Sequence, residues 1–191
     1  MNNLKIGFAI CGSFCTLKDA FLQLDELKKA NADIYPIVSD IVRTQDTRFG
    51  KATENIKYIE ECCEKSAITT INKAEPIGPK KILDILVVSP CTGNTLSKIA
   101  NGITDSPVTM AVKAHLRNER PVVLNIATND ALGASAQNIA KHLNTKNIFF
   151  VPFGQDDPIA KPKSLISDFK KLIPTIKKAL NYEQIQPIIL K

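Results

Sequence analysis

The segment Ile82–Ser89 is the sequence feature that most restricts the fold of this 191-residue chain. It is a nearly continuous aliphatic run, which is typical of a strand buried on both faces of a parallel sheet. Four further apolar runs alternate with stretches of helical periodicity: Leu4–Ile10, Ile34–Val38, Pro121–Ala127 and Ile148–Phe153. The alternation predicts an α/β fold with a three-layer open parallel sheet, in which helices cover both sheet faces.

Apolar residues at helical spacing predict the elements between these strands. The expected helices cover residues 17–27 and 52–63, a short segment ending at Ala100, a segment beginning at Pro107, and residues 130–143. A last helix, kinked at Pro174, is predicted from the spacing of Leu165, Phe169, Leu172, Ile176 and Leu180. Residues 40–51 and 72–81 are expected to be loops, and Pro36 indicates that the second strand lies at a sheet edge.

The length of the chain predicts a single domain over residues 1–182, followed by a C-terminal tail at residues 183–191. The tail is apolar at residues 188–190, which would otherwise be exposed together. We therefore expect the tail to pack on a sheet edge or on a neighbouring subunit, and we expect a homo-oligomer.

Composition argues against several classes of function. The net charge of +6 is spread along the chain without a basic block, so nucleic-acid binding is not indicated. No stretch approaches the roughly 20 apolar residues that a membrane span needs. The five cysteines and two histidines lack the spacing of a metal site, so we expect none. An odd number of cysteines also argues against a disulfide framework and favours a cytoplasmic location.

Small and hydroxyl-bearing residues follow four of the predicted strands. They are Gly12-Ser13, Ser39-Asp40, Ser89–Thr95 and Thr128–Asp130. In an open parallel sheet, ligands bind beyond the carboxyl ends of the strands, where the strand order reverses. These four turns are therefore the expected binding site.

The first turn lacks the GxGxxG pattern of a dinucleotide site, because Gly12 stands alone in it. One Gly-Ser pair before a helix offers N–H groups, a hydroxyl and the helix dipole to a single phosphate, which suits a mononucleotide such as FMN. A plain strand-to-helix turn explains the same residues equally well. Asp40 keeps a contact to the ribose of NAD open as a further alternative.

The turn after the third strand offers hydroxyl and amide groups that can surround a ring system. Asn94 or Thr95 can equally cap the helix that follows, and the two roles are compatible. Cys91 is a candidate nucleophile, although an unpaired cysteine is more often a small buried apolar residue. Neither histidine lies in a strand-end turn, so no general acid or base is assigned, and His142 is expected to complement its helix dipole.

This turn, with residues 98–105 after it, resembles the PASANT signature of the FMN-dependent cysteine decarboxylase-like flavoproteins. Other blocks resemble the family of dipicolinate synthase B subunits: residues 47–50, 74–80, 104–108, 128–133, 152–156 and 186–187. The resemblance implies a flavodoxin-like or Rossmann-like fold, bound FMN and an oligomer. It also implies a partner, the A subunit of that synthase, through which NADP enters, and the oxidation of dihydrodipicolinate to dipicolinate in the mother cell of a sporulating bacterium.

The resemblance further implies which residues form the site. The cofactor-binding positions are Gly12, Ser13 and Ser39 on the phosphate side, Pro90, Thr92, Asn94 and Thr95 on the flavin side, and Asp105 and Ser106 after the motif. Thr128 stands where the decarboxylases carry the Asn of a PxMNxxMW block, with Asn129 beside it. These two residues and Cys91 are the catalytic candidates. The missing Pro, Met and Trp disfavour decarboxylation of a cysteine-like substrate.

A dicarboxylate substrate requires cationic groups near the expected crevice. Arg43 and Arg48 lie in the loop after the second strand, and an arginine can bind a carboxylate through two hydrogen bonds. Both can equally be solvated loop charges. Three functions stay open at this point: a component of dipicolinate synthase, a stand-alone FMN-dependent decarboxylase, and a non-catalytic scaffold for a partner.

Overall fold

The computed structural model describes residues 1–190 and confirms the predicted α/β fold. Five parallel strands form the centre of the sheet in the order β2-β1-β3-β4-β5. Their bounds are β1 Lys5–Ile10, β2 Asp33–Val38, β3 Ile85–Cys91, β4 Val122–Thr128 and β5 Ile148–Phe150. The strand order reverses between β1 and β3, which places the expected binding crevice beyond their carboxyl ends.

Two short antiparallel strands make the sheet mixed rather than wholly parallel. They are β6 (Phe153–Gly154) and β7 (Leu165–Ser167). β7 pairs with the carboxyl end of β4 through Ala127 and Thr128, and β6 pairs with β7. The sheet is therefore parallel at its centre, as expected, and an antiparallel hairpin that was not predicted extends it beside the crevice.

Eight α-helices lie within the described residues. They are α1 Leu17–Lys29, α2 Asp40–Thr44, α3 Ala52–Cys63, α4 Ile71–Ala74, α5 Gly93–Ala100, α6 Pro107–Leu116, α7 Ala136–Leu143 and α8 Leu172–Ala179. Helices α1, α3 and α8 pack on one face of the sheet, and α4 to α7 pack on the other. The two apolar layers make β3 buried along its whole length, as its aliphatic sequence predicts.

Local sequence explains where helix α6 begins. Pro107 occupies its first turn, where a missing N–H costs nothing. Ser106 and Thr109 form a reciprocal capping box, with the Thr109 N–H donating to Ser106 Oγ over 3.1 Å. The start predicted from Pro107 is confirmed, and so is the helix end at Ala100, where Gly102 has a positive φ of 69°.

The predicted C-terminal helix was partly wrong. Leu165 belongs to strand β7, and the helix α8 begins only at Leu172. Pro174 therefore lies in the first turn of α8, where it does not kink the helix. Leu165 and Phe169 share the apolar spacing of the helix because both are buried, although they lie in other elements.

Four other segments differ from the expectation. Helix α7 begins at Ala136 because Asp130–Ser135 forms turns, and residues 148–153 divide into β5 and the start of β6. Residues 40–51 and 72–81, expected as loops, contain α2 and the end of α4 with the 3₁₀ turn Glu75–Ile77. The longer helices could be predicted because apolar residues recur at helical spacing over several turns. These one-turn helices are too short to show that spacing.

The edges of the sheet are covered by irregular segments. Strand β2 lies at one edge, as Pro36 predicts, and Ile68 extends that edge by donating its N–H to Pro36 O over 2.8 Å. At the other end, the tail runs parallel to β6: Phe153 donates to Ile188 O and accepts from the Leu190 N–H. No helix among the described residues is long and apolar enough to cross a membrane.

Candidate functional site

A cleft of about 1040 Å³ opens beyond the carboxyl ends of β1, β3 and β4. Its size is at the upper end of small-molecule sites. Three strand-end corners form its floor: Gly12–Ser13, Thr92–Asn94 and Thr128–Asp130. The structure therefore brings together three of the four turns that the sequence singles out. The fourth, Ser39–Asp40, is not part of the lining.

The first corner joins β1 to helix α1 through the 3₁₀ turn Phe14–Thr16. Thr16 Oγ1 lies 3.0 Å from Ser13 Oγ and donates to the Ser13 carbonyl, which fixes the Ser13 hydroxyl at the cleft wall. A Cβ on Gly12 would lie 2.6 Å from Ile41 Cγ2. Glycine at this position is thus required by packing against α2, whether or not a ligand approaches it.

The second corner lies between β3 and helix α5. Thr92 caps α5 by accepting a hydrogen bond from the Thr95 N–H over 3.3 Å. Thr95 itself is buried, and its hydroxyl donates to Cys11 Sγ over 3.2 Å. Asn94 is exposed and lines the cleft together with Thr92. Thr92 therefore caps α5 and lines the cleft at the same time, whereas Asn94 lines the cleft without capping the helix.

The third corner is a hydrogen-bonded cluster at the end of β4. Asp130 Oδ1 accepts two hydrogen bonds, from Thr128 Oγ1 at 2.8 Å and from Ser135 Oγ at 2.9 Å. The Asp130 carbonyl also accepts from the N–H groups of Gly133 and Ser135. These bonds hold the carboxylate against the floor of the cleft, at the start of α7. We call Thr128, Asp130 and Ser135 the Asp130 cluster.

Charged and aromatic side chains stand around the mouth of the cleft. Arg48 and Phe49 come from the loop before α3, and the Arg48 guanidinium lies 4.8 Å from the centre of the Phe49 ring. Arg48 has no ion-pair partner within residues 1–190, whereas Lys161, which also lines the cleft, pairs with Asp156 at 2.9 Å. Arg48 is thus the cation at this mouth that remains available to an anionic ligand.

Seven residues expected at the site lie outside the lining of the cleft. They are Ser39, Arg43, Pro90, Cys91, Thr95, Asp105 and Ser106. Pro90 is enclosed in β3, Ser106 caps α6, and Asp105 pairs with Lys98 at 2.8 Å. Arg43 pairs with Asp40 at 3.1 Å on α2. The Ser39 Oγ is buried without a hydrogen-bond partner among the described residues.

The chemistry of Cys91 and His142 also differs from the expectation. Cys91 is fully buried, and burial raises the pKa of its thiol well above the ordinary value, which disfavours the thiolate that a nucleophile needs. Burial also lowers the pKa of His142, whose Nε2 lies 2.9 Å from the Leu96 carbonyl. The imidazole is therefore neutral and joins α7 to α5, instead of complementing the helix dipole with a charge.

Several lining residues were not predicted as site residues. Asp130 and Ser135 follow Thr128 closely, but their mutual bonds depend on the turns before α7. Lys161, Ser164 and Leu165 reach the cleft only because the β6–β7 hairpin folds over the end of β4. The block Pro152–Asp156 was a usable signal for this hairpin, since it was part of the resemblance.

This chain is similar to known proteins in both sequence and fold. A model of the family described as "Flavoprotein" matches residues 1–181. The chain belongs to the flavoprotein family. Along 194 aligned positions it is 50% identical to the dipicolinate synthase B subunit of Bacillus subtilis (strain 168), covering all of this chain and 97% of that protein. The narrower resemblance identified from the sequence blocks is thereby confirmed.

One solved structure supports the same assignment, and a second supports the fold. The crystal structure of the dipicolinate synthase B subunit from Bacillus halodurans C superposes with a TM-score of 0.91 and 45% identity, covering 100% of this chain and 99% of that one. The FMN-dependent cysteine decarboxylase SpaF superposes with a TM-score of 0.68 at 21% identity, covering 93% and 95%. At that identity, SpaF supports the flavoprotein fold alone.

Proposed function

We propose that this flavoprotein acts as the B subunit of a dipicolinate synthase, and that the strand-end cleft is its active site. The observation that carries the proposal is the polar cleft beyond β1, β3 and β4 in a chain that is 50% identical, over its full length, to a B subunit of dipicolinate synthase. The partner is the A subunit, and the reaction is the oxidation of dihydrodipicolinate to dipicolinate.

The donor groups of the cleft suit FMN. Ser13 lies at the start of the turn into α1, where a hydroxyl and backbone N–H groups can receive a single phosphate. Thr92 and Asn94 provide a hydroxyl and an amide at the N-terminus of α5, and Ala127 and Ile166 add apolar surface for a ring. Bound FMN would supply a two-electron acceptor to the site.

The substrate carries two carboxylates on a dihydropyridine ring. Arg48 is placed to bind one of them, since its guanidinium is at the cleft mouth and forms no ion pair among the described residues. Phe49 beside it can cover a ring and exclude water. Thr128 and Asn129 also line the cleft and remain candidates. The Asn129 amide can donate a hydrogen bond to the substrate, whereas the Thr128 hydroxyl, which donates to Asp130, can accept one.

The remaining features of the proposal come from the resemblance. NADP enters through the A subunit, the B subunit forms a homo-oligomer, and both proteins work in the cytoplasm of a sporulating mother cell. The tail at residues 183–191 is proposed to contribute to the assembly. Its residues Ile188–Leu190 already lie against β6, while the residue Ile189 remains 58% exposed.

Reconstitution of the synthase tests this function. The formation of dipicolinate from dihydrodipicolinate is measured with this chain alone, with the A subunit alone and with both, each with and without FMN and NADP. We expect rapid product formation only with both proteins. Equal rates with and without this chain would contradict the proposal. Release of CO₂ from a cysteine-like peptide by this chain alone would instead identify a decarboxylase.

A further inference from the structure

We infer that Asp130 is the general base of the cleft, which takes a proton from the dihydropyridine ring as that ring becomes aromatic. The inference rests on the proposed function and adds to it a catalytic residue within the same site. Three observations carry it: the position of the carboxylate in the cleft, the arrangement of its hydrogen bonds, and its freedom from ion pairs.

The first observation is the position of Asp130. It lines the cleft together with Thr128 and Asn129 from the end of β4 and Ser164 from the β6–β7 hairpin. Neither His115 nor His142 lines this cleft, and both are buried elsewhere. The other titratable or charged side chains that line it are Cys15 from the turn before α1, Arg48 from the loop before α3, and Asp156 and Lys161 from the β6–β7 hairpin.

The second observation is that both side-chain hydrogen bonds converge on a single oxygen. Oδ1 accepts from Thr128 and from Ser135, whereas Oδ2 has no hydrogen-bond partner among residues 1–190. The two bonds fix the orientation of the carboxylate. A base needs this combination: one oxygen that is held in place, and one that is free to form a new O–H bond.

The third observation separates Asp130 from the second carboxylate of the cleft. Asp156 is engaged by Lys161 at 2.9 Å, so its charge is already compensated. Asp130 makes no ion pair with any of the described residues. Of the two carboxylates, Asp130 is therefore the one that no cation among the described residues occupies.

The reaction balances with one base and one two-electron acceptor. The dihydropyridine ring has two hydrogens more than pyridine. One would leave with its electron pair as a hydride, which a two-electron acceptor of the flavin or nicotinamide class would take up when bound. The other leaves as a proton, and the electrons of its broken C–H bond complete the aromatic ring while an O–H bond forms at Asp130 Oδ2.

The variant Asp130→Asn tests this role with little change of shape, because its amide oxygen can still accept from Thr128 and Ser135. A general base contributes about 10²–10⁴-fold to the rate. We expect kcat of the reconstituted synthase to fall by at least about 100-fold, with KM within about threefold. The matched control is Asp25→Asn, since Asp25 Oδ1 also accepts two side-chain bonds, from Tyr58 and Cys62, but lies outside the cleft. We expect that variant to keep the wild-type kcat.

Two further measurements distinguish a base from a structural residue. Binding of the product dipicolinate, followed by calorimetry, should be as tight or tighter in Asp130→Asn, because a negative charge beside the dianion is removed. The fall of kcat/KM toward acidic pH should be absent in this variant. If Asp130→Asn does not fold, two other variants replace it. Asp130→Glu keeps a carboxylate at the site, so its kcat should fall less than about tenfold. The kcat of folded Asp130→Ser, which lacks the carboxylate, should fall about 100-fold or more.

Three results would overturn the inference, and they differ in what else they overturn. If Asp130→Asn folds and its kcat in an active synthase stays within about threefold of wild type, only the role of Asp130 is overturned. A wild-type pair that forms no dipicolinate overturns the proposed function and this inference together. If Asp130→Asn loses both product binding and kcat, Asp130 serves in binding, and that result also contradicts its role as base.

Discussion

Gly93 lies so close to Ser135 that a β-carbon on Gly93 would be 2.6 Å from the Ser135 Oγ. The same β-carbon would lie 2.7 Å from Thr128 Oγ1 and 3.0 Å from Asp130 Oδ1. The Asp130 cluster therefore occupies the space that an alanine side chain would need at the start of α5. This explains why the PASANT-like turn of this chain carries glycine at this position.

The substitution Gly93→Ala tests this packing. The added methyl group must displace two hydroxyls and a carboxylate, and overpacking of this kind costs about 1–3 kcal/mol. We expect the free energy of unfolding in urea to fall by that amount. The double variant Gly93→Ala with Ser135→Ala should regain part of the loss, because the nearest clashing atom is gone. Undiminished stability of Gly93→Ala would contradict the packing described above.

Arg48→Ala tests the proposed contact with a substrate carboxylate. Loss of one charge-assisted contact should raise KM of the reconstituted synthase about tenfold, which corresponds to about 1.4 kcal/mol. Arg43→Ala is the matched control from the same segment, since Arg43 pairs with Asp40 and does not line the cleft. Similar KM values for wild type, Arg48→Ala and Arg43→Ala would remove Arg48 from the site.

Stability should decrease with acidity between about pH 6.5 and pH 4. Burial, reinforced by the charge of Arg120, lowers the pKa of His115 to about 4, and burial also lowers that of His142. In this range the unfolded chain binds a proton at each histidine and the folded chain does not, so unfolding becomes easier as pH falls. For His115 the full effect is about 3 kcal/mol.

The variant His115→Gln isolates one of the two histidines. The free energy of unfolding is measured by chemical denaturation at a series of pH values between 4 and 7.5. We expect a weaker pH dependence in the variant, with His142 still contributing in the same direction. An unchanged slope would mean that His115 is protonated in the folded protein.

The cysteines should differ in their reactivity toward a thiol reagent. Cys15 is exposed at the cleft mouth, whereas Cys11 and Cys91 are buried, and burial raises the pKa of Cys11 to about 11. Alkylation at pH 8 followed by mass spectrometry should label Cys15 in the native protein. Cys11 and Cys91 should be labelled only after unfolding. Rapid native labelling of Cys91 would restore it as a candidate nucleophile.

The sequence was most informative where one local rule determines the structure. The aliphatic run of β3 and the proline at the start of α6 each identify their element. The carboxyl ends of parallel strands meet at one edge, so the corners at Gly12, Thr92 and Thr128 could be expected to share a cleft.

Long-range packing determined what the sequence alone did not predict. Leu165 has the spacing of a helical residue but pairs in β7, because β4 offers it an open edge. Ser39 and Ser106 have the residue type of a phosphate contact, yet one is covered and the other caps a helix. The hydrogen bonds of Asp130 depend on the turns before α7, which no short motif encodes.

The visible absorption spectrum of the purified protein tests most directly whether the strand-end cleft holds a flavin. The protein is measured as isolated, after titration with FMN, and after denaturation. If the cleft binds FMN, we predict a shifted flavin spectrum, saturation at one FMN per chain, and release of free FMN on unfolding. A protein that stays colourless and leaves the spectrum and fluorescence of added FMN unchanged would contradict flavin binding in this cleft.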